Sequence, residues 1–548
     1  MEANDPPSAT SAYNGSGENM HEKNDAMTDH VYRDDHGAET ALRRTLGTRH
    51  LTMIALGSSI GMGLWLGSGK SLASGGPAGI FLGYLLAGSM IWCVSHSIGE
   101  MACMYPLPSA FVQWTGKFID PSAAFALGWS YWFSYCITIA NELAATNTII
   151  QFWTSAVPVA AWISIWLVVI ILVNIGAVTV FGEIEVIASS IKFGWIFVVI
   201  ISMIVMSAGG AGYGPVGFRY WNSEPFTHGF KGFLSVMPTC IFAMSGSENS
   251  GLVAAETANP RRAMPRAVSS IWVRLSLFYL LGSLMITINV DPQNVNLFGQ
   301  SGTNASPFVI AYRDANLPAM AHIMNAIILI SVVSTGSISG YGGSRTTMGL
   351  AHLNMAPRQM QYADRVGRPW YGLVPTFILG GGLAYLNVSE SGSNVFTWFS
   401  NLTSLFTLFG WGMICLSHIR FRRTWARQGH TPEELPWKSW IYPYGAWWGL
   451  IMCILLIIVQ FYLSVWPLGE SPSAENFFAN YISVILIVVL WLGARVYYHG
   501  WWWWGRWWVD LDTVNLDEGR RFYGDDVEKV QAKGMKGVAK KALETILG

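Results

Sequence analysis

Two short runs of glycine and hydroxyl residues, GSSIGMG at Gly57–Gly63 and MSGSENSG at Met244–Gly251, interrupt segments that are otherwise apolar. A backbone that leaves the helix inside a bilayer has no water for its amides and carbonyls. It is tolerated there only when buried in protein or lining a cavity. Opened in this way, the first run would direct the N–H groups of its following half-helix at an anion. Carbonyls of the second would receive an ammonium, so the pair suits a zwitterion. Ser58, Ser59, Ser245 and Ser247 add donors and acceptors without filling the space. The alternative reading of both runs is close helix packing through small side chains.

Ionisable residues inside apolar stretches are few. Glu142, in ITIANELAATNTII, is the only charge of its segment, and Lys192, in ASSIKFGW, stands well inside another. A charge at the centre of a spanning helix costs about 2.5–3.5 kcal/mol on insertion scales, which marks it as functional by default. The alternatives are a hydrogen-bonded structural carboxyl for Glu142 and a snorkelling Lys192. Glu100, in SIGEM, ends its segment and reads as structural. Glu248 and Glu256 flank the cytosolic half of the segment that carries the second run and are expected to brace the intracellular gate, with Arg261, Arg262 and Arg266 as partners. The eleven histidines are scattered and form no group with metal-ligand spacing, so neither an enzyme, a metal centre nor a cofactor is expected.

These residues must be carried by membrane helices. The chain has 548 residues, 52% hydrophobic and 12% charged, against about 25% charged in soluble proteins. Thirty-three Lys and Arg balance thirty-three Asp and Glu, which gives no electrostatic reason for a nucleic-acid partner. Six cysteines, all in or beside apolar stretches, make no disulfide framework. Apolar runs near the ~20 residues needed to cross a bilayer predict twelve spans: 51–69, 77–102, 122–152, 159–181, 184–208, 232–253, 269–290, 319–343, 371–388, 393–418, 441–466 and 477–498. The ninth is the shortest and contains Gly380, Gly381 and Gly382. Residues 1–50 read as a polar disordered tail lacking the apolar core of a signal peptide, and 499–548 as a second tail.

Charge placement sets the orientation. With the N-terminus in the cytosol, the short inner loops hold thirteen Lys and Arg, against four outside (Lys70, Arg219, Lys231 and Arg313). Both termini are therefore expected in the cytosol. WWWWGRWW, Trp501–Trp508, fits an interfacial belt, and Asn304 and Asn387 head N-x-S sequons in or beside outer loops. If 51–208 and 232–418 are two repeats, followed by additional helices at 441–498, both interruptions fall in the first helix of a repeat. Such a pair is the best sequence pointer to a transporter's binding site. The expectation is an all-α integral membrane transporter with its core at 51–498.

In this order and spacing the motifs resemble fungal amino acid permeases of the yeast amino acid transporter family, within the amino acid–polyamine–organocation superfamily. The resemblance runs from about Leu46 to about Arg521. It rests on RHLTMIALGSSIGMGLWLGSGKSLASGGPAG, ALGWSYWFSY, FGEIEVIASSIKFGW, GSENSGLVAAETANPRRAMPRA, SPFVIAYR, LSHIRFRRTWARQGHTPEELP and DLDTVNLDEGRRF. It implies a LeuT-like five-plus-five inverted repeat with two additional C-terminal helices. It also implies proton-coupled amino acid uptake across the plasma membrane by alternating access. By position, Ser59, Ile60, Gly61, Met62 and Gly63 match the stretch that holds the substrate carboxylate. Phe242, Ala243, Met244, Ser245 and Gly246 match the stretch that holds its amino group. Glu142 matches a carboxylate facing the site. Lys192 matches a lysine that fills the place of a structural sodium ion, here expected between the first helix and Ser331–Ser334 of the eighth.

This chain reads IGMGLW where relatives read IGTGLF, and FAMSGSE where they read FSFxGSE. Met62 thus replaces a threonine, Trp65 a phenylalanine, Ala243 a serine, and Met244 an aromatic expected to close over the substrate. A more apolar, more adaptable pocket is expected. The resemblance further implies ubiquitin-ligase machinery acting on tail lysines, Lys23 and the cluster Lys529, Lys533, Lys536, Lys540 and Lys541. The alternative function is an amino acid sensor on the same fold. A sensor would be expected to carry an enlarged cytosolic extension, and tails of about fifty residues favour transport.

Overall fold

The computed structural model describes residues 46–210, 214–300, 305–389, 392–469, 471–499, 507–521 and 523. The tail lysines Lys23, Lys529, Lys533, Lys536, Lys540 and Lys541, the sequon residue Asn304, and Trp501–Trp504 lie outside the described residues. Among the described residues there are helices and no β-strand, only isolated bridges at Leu46–Thr257 and Leu297–Ala305.

Among the described residues, eight helices are individually long and apolar enough to cross a membrane: Gly67–Met104, Val178–Gly210, Pro260–Asn289, Pro318–His352, Trp370–Ser389, Ser393–Arg427, Tyr444–Val465 and Asn476–Tyr498. Pro121–Ile150 and the shorter apolar helix Val159–Asn174 supply the third and fourth spans. The two interrupted segments complete the twelve. The first span is Thr48–Gly57 followed by Met62–Trp65, and the sixth is Gly229–Met244 followed by Asn249–Val253. Gly67–Met104 is itself two helices joined at a kink, where Gly76 adopts φ +75° just before Pro77. The first span therefore continues to that turn. Lys70, expected in a loop, lies inside the helix and donates to Thr397 Oγ1 at 2.6 Å.

Local chemistry starts the helices where it should. Asp120 caps the third span by accepting from Ser122 N and Ala123 N, with Pro121 at the first helical position, where its missing N–H costs nothing. Asn259 and Pro260 do the same for the seventh. The Gly380 region of the ninth span is a close approach rather than a break: a Cβ there would lie 3.0 Å from the Cys136 carbonyl of the third. Ile187, Ile201, Ile458 and Val489 are exposed on the outer spans, as expected where the solvent is hydrocarbon. The Asn387 side chain is buried.

On the face that carries most loop charges, Glu100 binds the second span to the tenth and to the loop that follows it. It accepts from the Arg422 guanidinium and from Ser439 N at 2.7 Å, and pairs with His418 at 2.9 Å. Residues 507–521 return across that same face, with Leu511, Val514 and Leu516 buried.

Candidate substrate site

The helix of the first span stops at Gly57 and restarts at Met62, and that of the sixth stops at Met244 and restarts at Asn249. Glycine is required at two of the intervening positions. A Cβ on Gly61 would meet Glu142 Oε1 at 2.5 Å and Thr335 Oγ1 at 2.8 Å, and Gly246 has φ +89°. The opened backbones hold each other. Ser58 Oγ donates to the Gly246 carbonyl at 3.0 Å, and the Ser59 and Ser247 hydroxyls are 3.2 Å apart. The Ile60 carbonyl, freed by the break, accepts from Ser331 Oγ and from Thr335 Oγ1.

Between the breaks lies a polar cavity. Its walls come from the first span (Ser58, Ser59, Gly61, Gly63), the third (Tyr131, Ser134, Tyr135, Thr138, Glu142) and the sixth (Phe242, Ser245, Gly246, Glu248, Asn249). Thr335 and Ser339 of the eighth, with Thr403 and Thr407 of the tenth, complete it. Its volume is about 30 Å³, one water's share of the liquid, so the broken helices must part to admit an amino acid.

Glu142 is fully buried and accepts from the Met62 N–H at 3.1 and 3.3 Å. Its carboxylate thus sits on the first amide of the restarted helix. Glu248 is held on both oxygens, accepting from Tyr131 OH and Gly246 N on one and from Trp411 Nε1 on the other, each at 3.0 Å. It locks the sixth break to the third and tenth spans. Phe242 joins Tyr131 and Tyr135 on the cavity, and its ring packs edge-on against Phe396, which packs against Phe298. Met244, the residue expected over the substrate, is buried, with its terminal methyl toward Gly88 of the second span.

Of the other expected residues, Ile60, Met62 and Ala243 contribute backbone atoms rather than cavity-lining side chains. Lys192 and Ser334 lie behind the first break: Lys192 Nζ donates to the Gly57 carbonyl at 3.2 Å and to Ser334 Oγ at 2.9 Å. Ser331 instead accepts from Trp65 Nε1 at 2.8 Å. Glu256 lies outside the cavity and pairs with Arg345 of the eighth span at 2.9 Å rather than with Arg261, Arg262 or Arg266.

Tyr131, Ser134, Tyr135, Thr138, Asn249, Thr335, Ser339, Thr403 and Thr407 of the cavity wall were not singled out from the sequence, nor were three residues behind it. Arg274 of the seventh span is fully buried and donates to the Ala55 carbonyl at 2.6 Å, to Ser59 Oγ at 3.1 Å, and to Ser247 Oγ. Tyr279 OH reaches the Ser59 and Ala243 carbonyls at 3.0 and 2.7 Å. Glu185 accepts from Ser334 Oγ at 2.6 Å. Of the third-span face only Glu142 was singled out, although Tyr131, Ser134, Tyr135, Thr138 and Glu142 fall at helical spacing within one apolar segment, the signal that could have found them.

Residues 50–506 match the family model for amino acid permeases. The chain is 40% identical over 514 residues to the Cationic amino acid transporter 1 of Schizosaccharomyces pombe, covering 92% of this chain and 86% of that one. It is 38% identical to the General amino-acid permease GAP2 of Candida albicans, over 90% of this chain and 84% of that one. To the S-adenosylmethionine permease GAP4 of Candida albicans it is also 38% identical, over 88% and 79%. The matched region contains both broken spans and every wall of the cavity between them, and the chain belongs to the amino acid permease family.

Proposed function

We propose that this permease takes up amino acids by proton symport at the plasma membrane, with both termini cytosolic. The observation that carries the reading is the Glu142 carboxylate on the Met62 N–H. A zwitterion laying its carboxylate against the opened first helix needs that donor, and meets a charged Glu142 there. Two like charges about 4 Å apart repel by about 4 kcal/mol at a protein's effective dielectric, roughly a thousandfold in affinity. A proton on Glu142 removes the repulsion, so substrate and proton favour each other's binding reciprocally. That linkage is what symport requires. The Lys192 ammonium on the Gly57 carbonyl supports sodium independence, since a fixed cation already serves the back of the break. The excess of Lys and Arg on one set of loops supports the orientation. The tail lysines support turnover through ubiquitin ligases, and arginine at all six positions should lengthen surface residence after nitrogen supply.

Uptake of each labelled amino acid by a permease-deficient cell expressing the chain tests the reading. Accumulation should collapse with an uncoupler and persist when sodium is replaced. In Glu142→Gln, substrate affinity should lose its dependence on external pH. Accumulation indifferent to the uncoupler would overturn proton symport, and binding without accumulation would identify a sensor.

A further inference from the structure

We propose that Glu185 is the proton acceptor for Lys192, with the Ser334 hydroxyl as the bridge between them, and that this transfer loosens the first span from the fifth. The proposal rests on the proton-symport reading above.

Glu185 lies seven residues before Lys192, two turns along the same face of the fifth span. Both are buried with no exposure. Ammonium and carboxylate meet through one atom: Ser334 Oγ accepts from Lys192 Nζ at 2.9 Å and donates to Glu185 Oε2 at 2.6 Å. The remaining bond of the ammonium goes to the carbonyl of Gly57, the last residue of the first half-helix. Glu185 Oε1 has no hydrogen-bond partner among the described residues. The residue lines a cavity of about 200 Å³ between the fourth, fifth and eighth spans, walled by Trp166, Val173, Ala188, Leu329 and Val333. No residue of that cavity lines the substrate cavity, so Glu185 acts on transport without touching the substrate.

A carboxylate with one oxygen unmet among apolar walls is a costly brace. Glutamine would accept from Ser334 equally well without a buried charge. What glutamine lacks is a place for a proton. In the transfer, one N–H bond of Lys192 breaks as its proton passes to Ser334 Oγ, while the Ser334 proton passes to Glu185 Oε2. An ammonium and a carboxylate become an amine and a carboxylic acid, and Ser334 is unchanged. The charged group facing this pair is Glu142 of the third span, whose charge also acts on the ammonium. The fourth and eighth spans present uncharged Trp166, Ser334 and Ser337. Charge-assisted hydrogen bonds are roughly twice as strong as neutral ones, so the neutral amine holds Gly57 less firmly and the first half-helix is free to swing.

The test uses the full chain in a permease-deficient cell, with surface abundance measured alongside uptake. Coupling to one proton accumulates substrate about tenfold per pH unit of gradient. In Glu185→Gln that ratio should fall to about one, while exchange of labelled for unlabelled substrate continues with a near-normal KM. Ser334→Ala, which breaks the bridge but leaves both ionisable groups, should give the same split and serves if Glu185→Gln does not reach the surface. Either variant at the surface with wild-type accumulation and pH profile overturns the proposal. Wild-type accumulation that ignores an uncoupler instead overturns the symport reading on which it rests.

Discussion

Arg274 joins the two breaks with one planar group. Its guanidinium reaches a first-span carbonyl, a first-span hydroxyl and a sixth-span hydroxyl, and among the described ion pairs it has no carboxylate partner within 4 Å. Buried hydrogen bonds to a charged group contribute about 1.5–3 kcal/mol each, so the first and sixth spans are held here as one unit. Lysine carries the same charge without the fork. Arg274→Lys should therefore cut uptake at least about tenfold, the equivalent of a single lost charge-assisted bond, and lower the melting temperature of the detergent-purified protein. Unchanged uptake and melting would show that the two breaks are held elsewhere. A second contrast separates Phe242 from Met244. Phe242 lines the cavity, so Phe242→Leu should reorder amino acids in competition assays. Met244 is packed toward the second span, where adding ring atoms costs typically 1–3 kcal/mol (about) of overpacking. Met244→Phe should lower surface abundance while leaving the ranking intact, and a changed ranking at normal abundance would place its side chain on the substrate.

The seventh span shows how an element aims two residues at once. Leu275–Leu281, directly after Arg274, is a π-helical turn. Ordinary α-helical spacing would carry Tyr279 about 140° around the axis from Arg274, whereas i→i+5 bonding widens the turn and brings position i+5 back toward position i. Both side chains therefore face the breaks. Inserting one alanine after Leu277 should place Tyr279 six positions from Arg274 and swing it away from the Ser59 and Ala243 carbonyls. The insertion should reduce uptake more than Tyr279→Phe, which loses the same hydroxyl bonds, at about 0.5–1.5 kcal/mol each, but keeps the helix phase. Equal losses would show that the turn aims nothing else. The sequence revealed this span only as an apolar stretch, because a π-turn has no compositional signature and a long-range bond from Arg274 to Ala55 leaves no local trace. Glu185 escaped for the same reason: its role depends on Ser334, which is distant in sequence. The breaks were legible because GSSIGMG and MSGSENSG are local, and the spans because hydropathy is. The first span ran past its expected end, since Gly67–Gly75 carries small and polar residues whose helix is maintained by packing.

At the scale of the whole molecule, residues 507–521 act as a strap across the charged face. Tyr105 OH donates to the Leu516 carbonyl at 2.7 Å, and Gln428 Nε2 to that of Val514 at 2.8 Å. Arg521 reaches the Ala258 carbonyl at 2.9 Å, just beyond the sixth span. Val509 N donates to the Ile119 carbonyl at 2.8 Å. One segment thus fastens the ends of the second, sixth and tenth spans, with Leu511, Val514 and Leu516 buried beneath it. Burying such side chains contributes about 1.5–3 kcal/mol each, so the strap should favour the arrangement closed on this face. Cys103 is a native reporter: its thiol is buried at the end of the second span, and its carbonyl accepts from Tyr523 OH at 2.8 Å. Ending the chain after Arg506 should let this face open locally, and in the detergent-purified protein each ~1.4 kcal/mol of lost local stability speeds labelling by a maleimide about tenfold. Cys103→Ser assigns the signal. Cys136, buried within the third span, reports global unfolding and should stay unlabelled. Labelling of Cys103 at the full-length rate would show that the spans hold this face shut without the strap, while parallel labelling of Cys136 would show that the strap supports the fold as a whole.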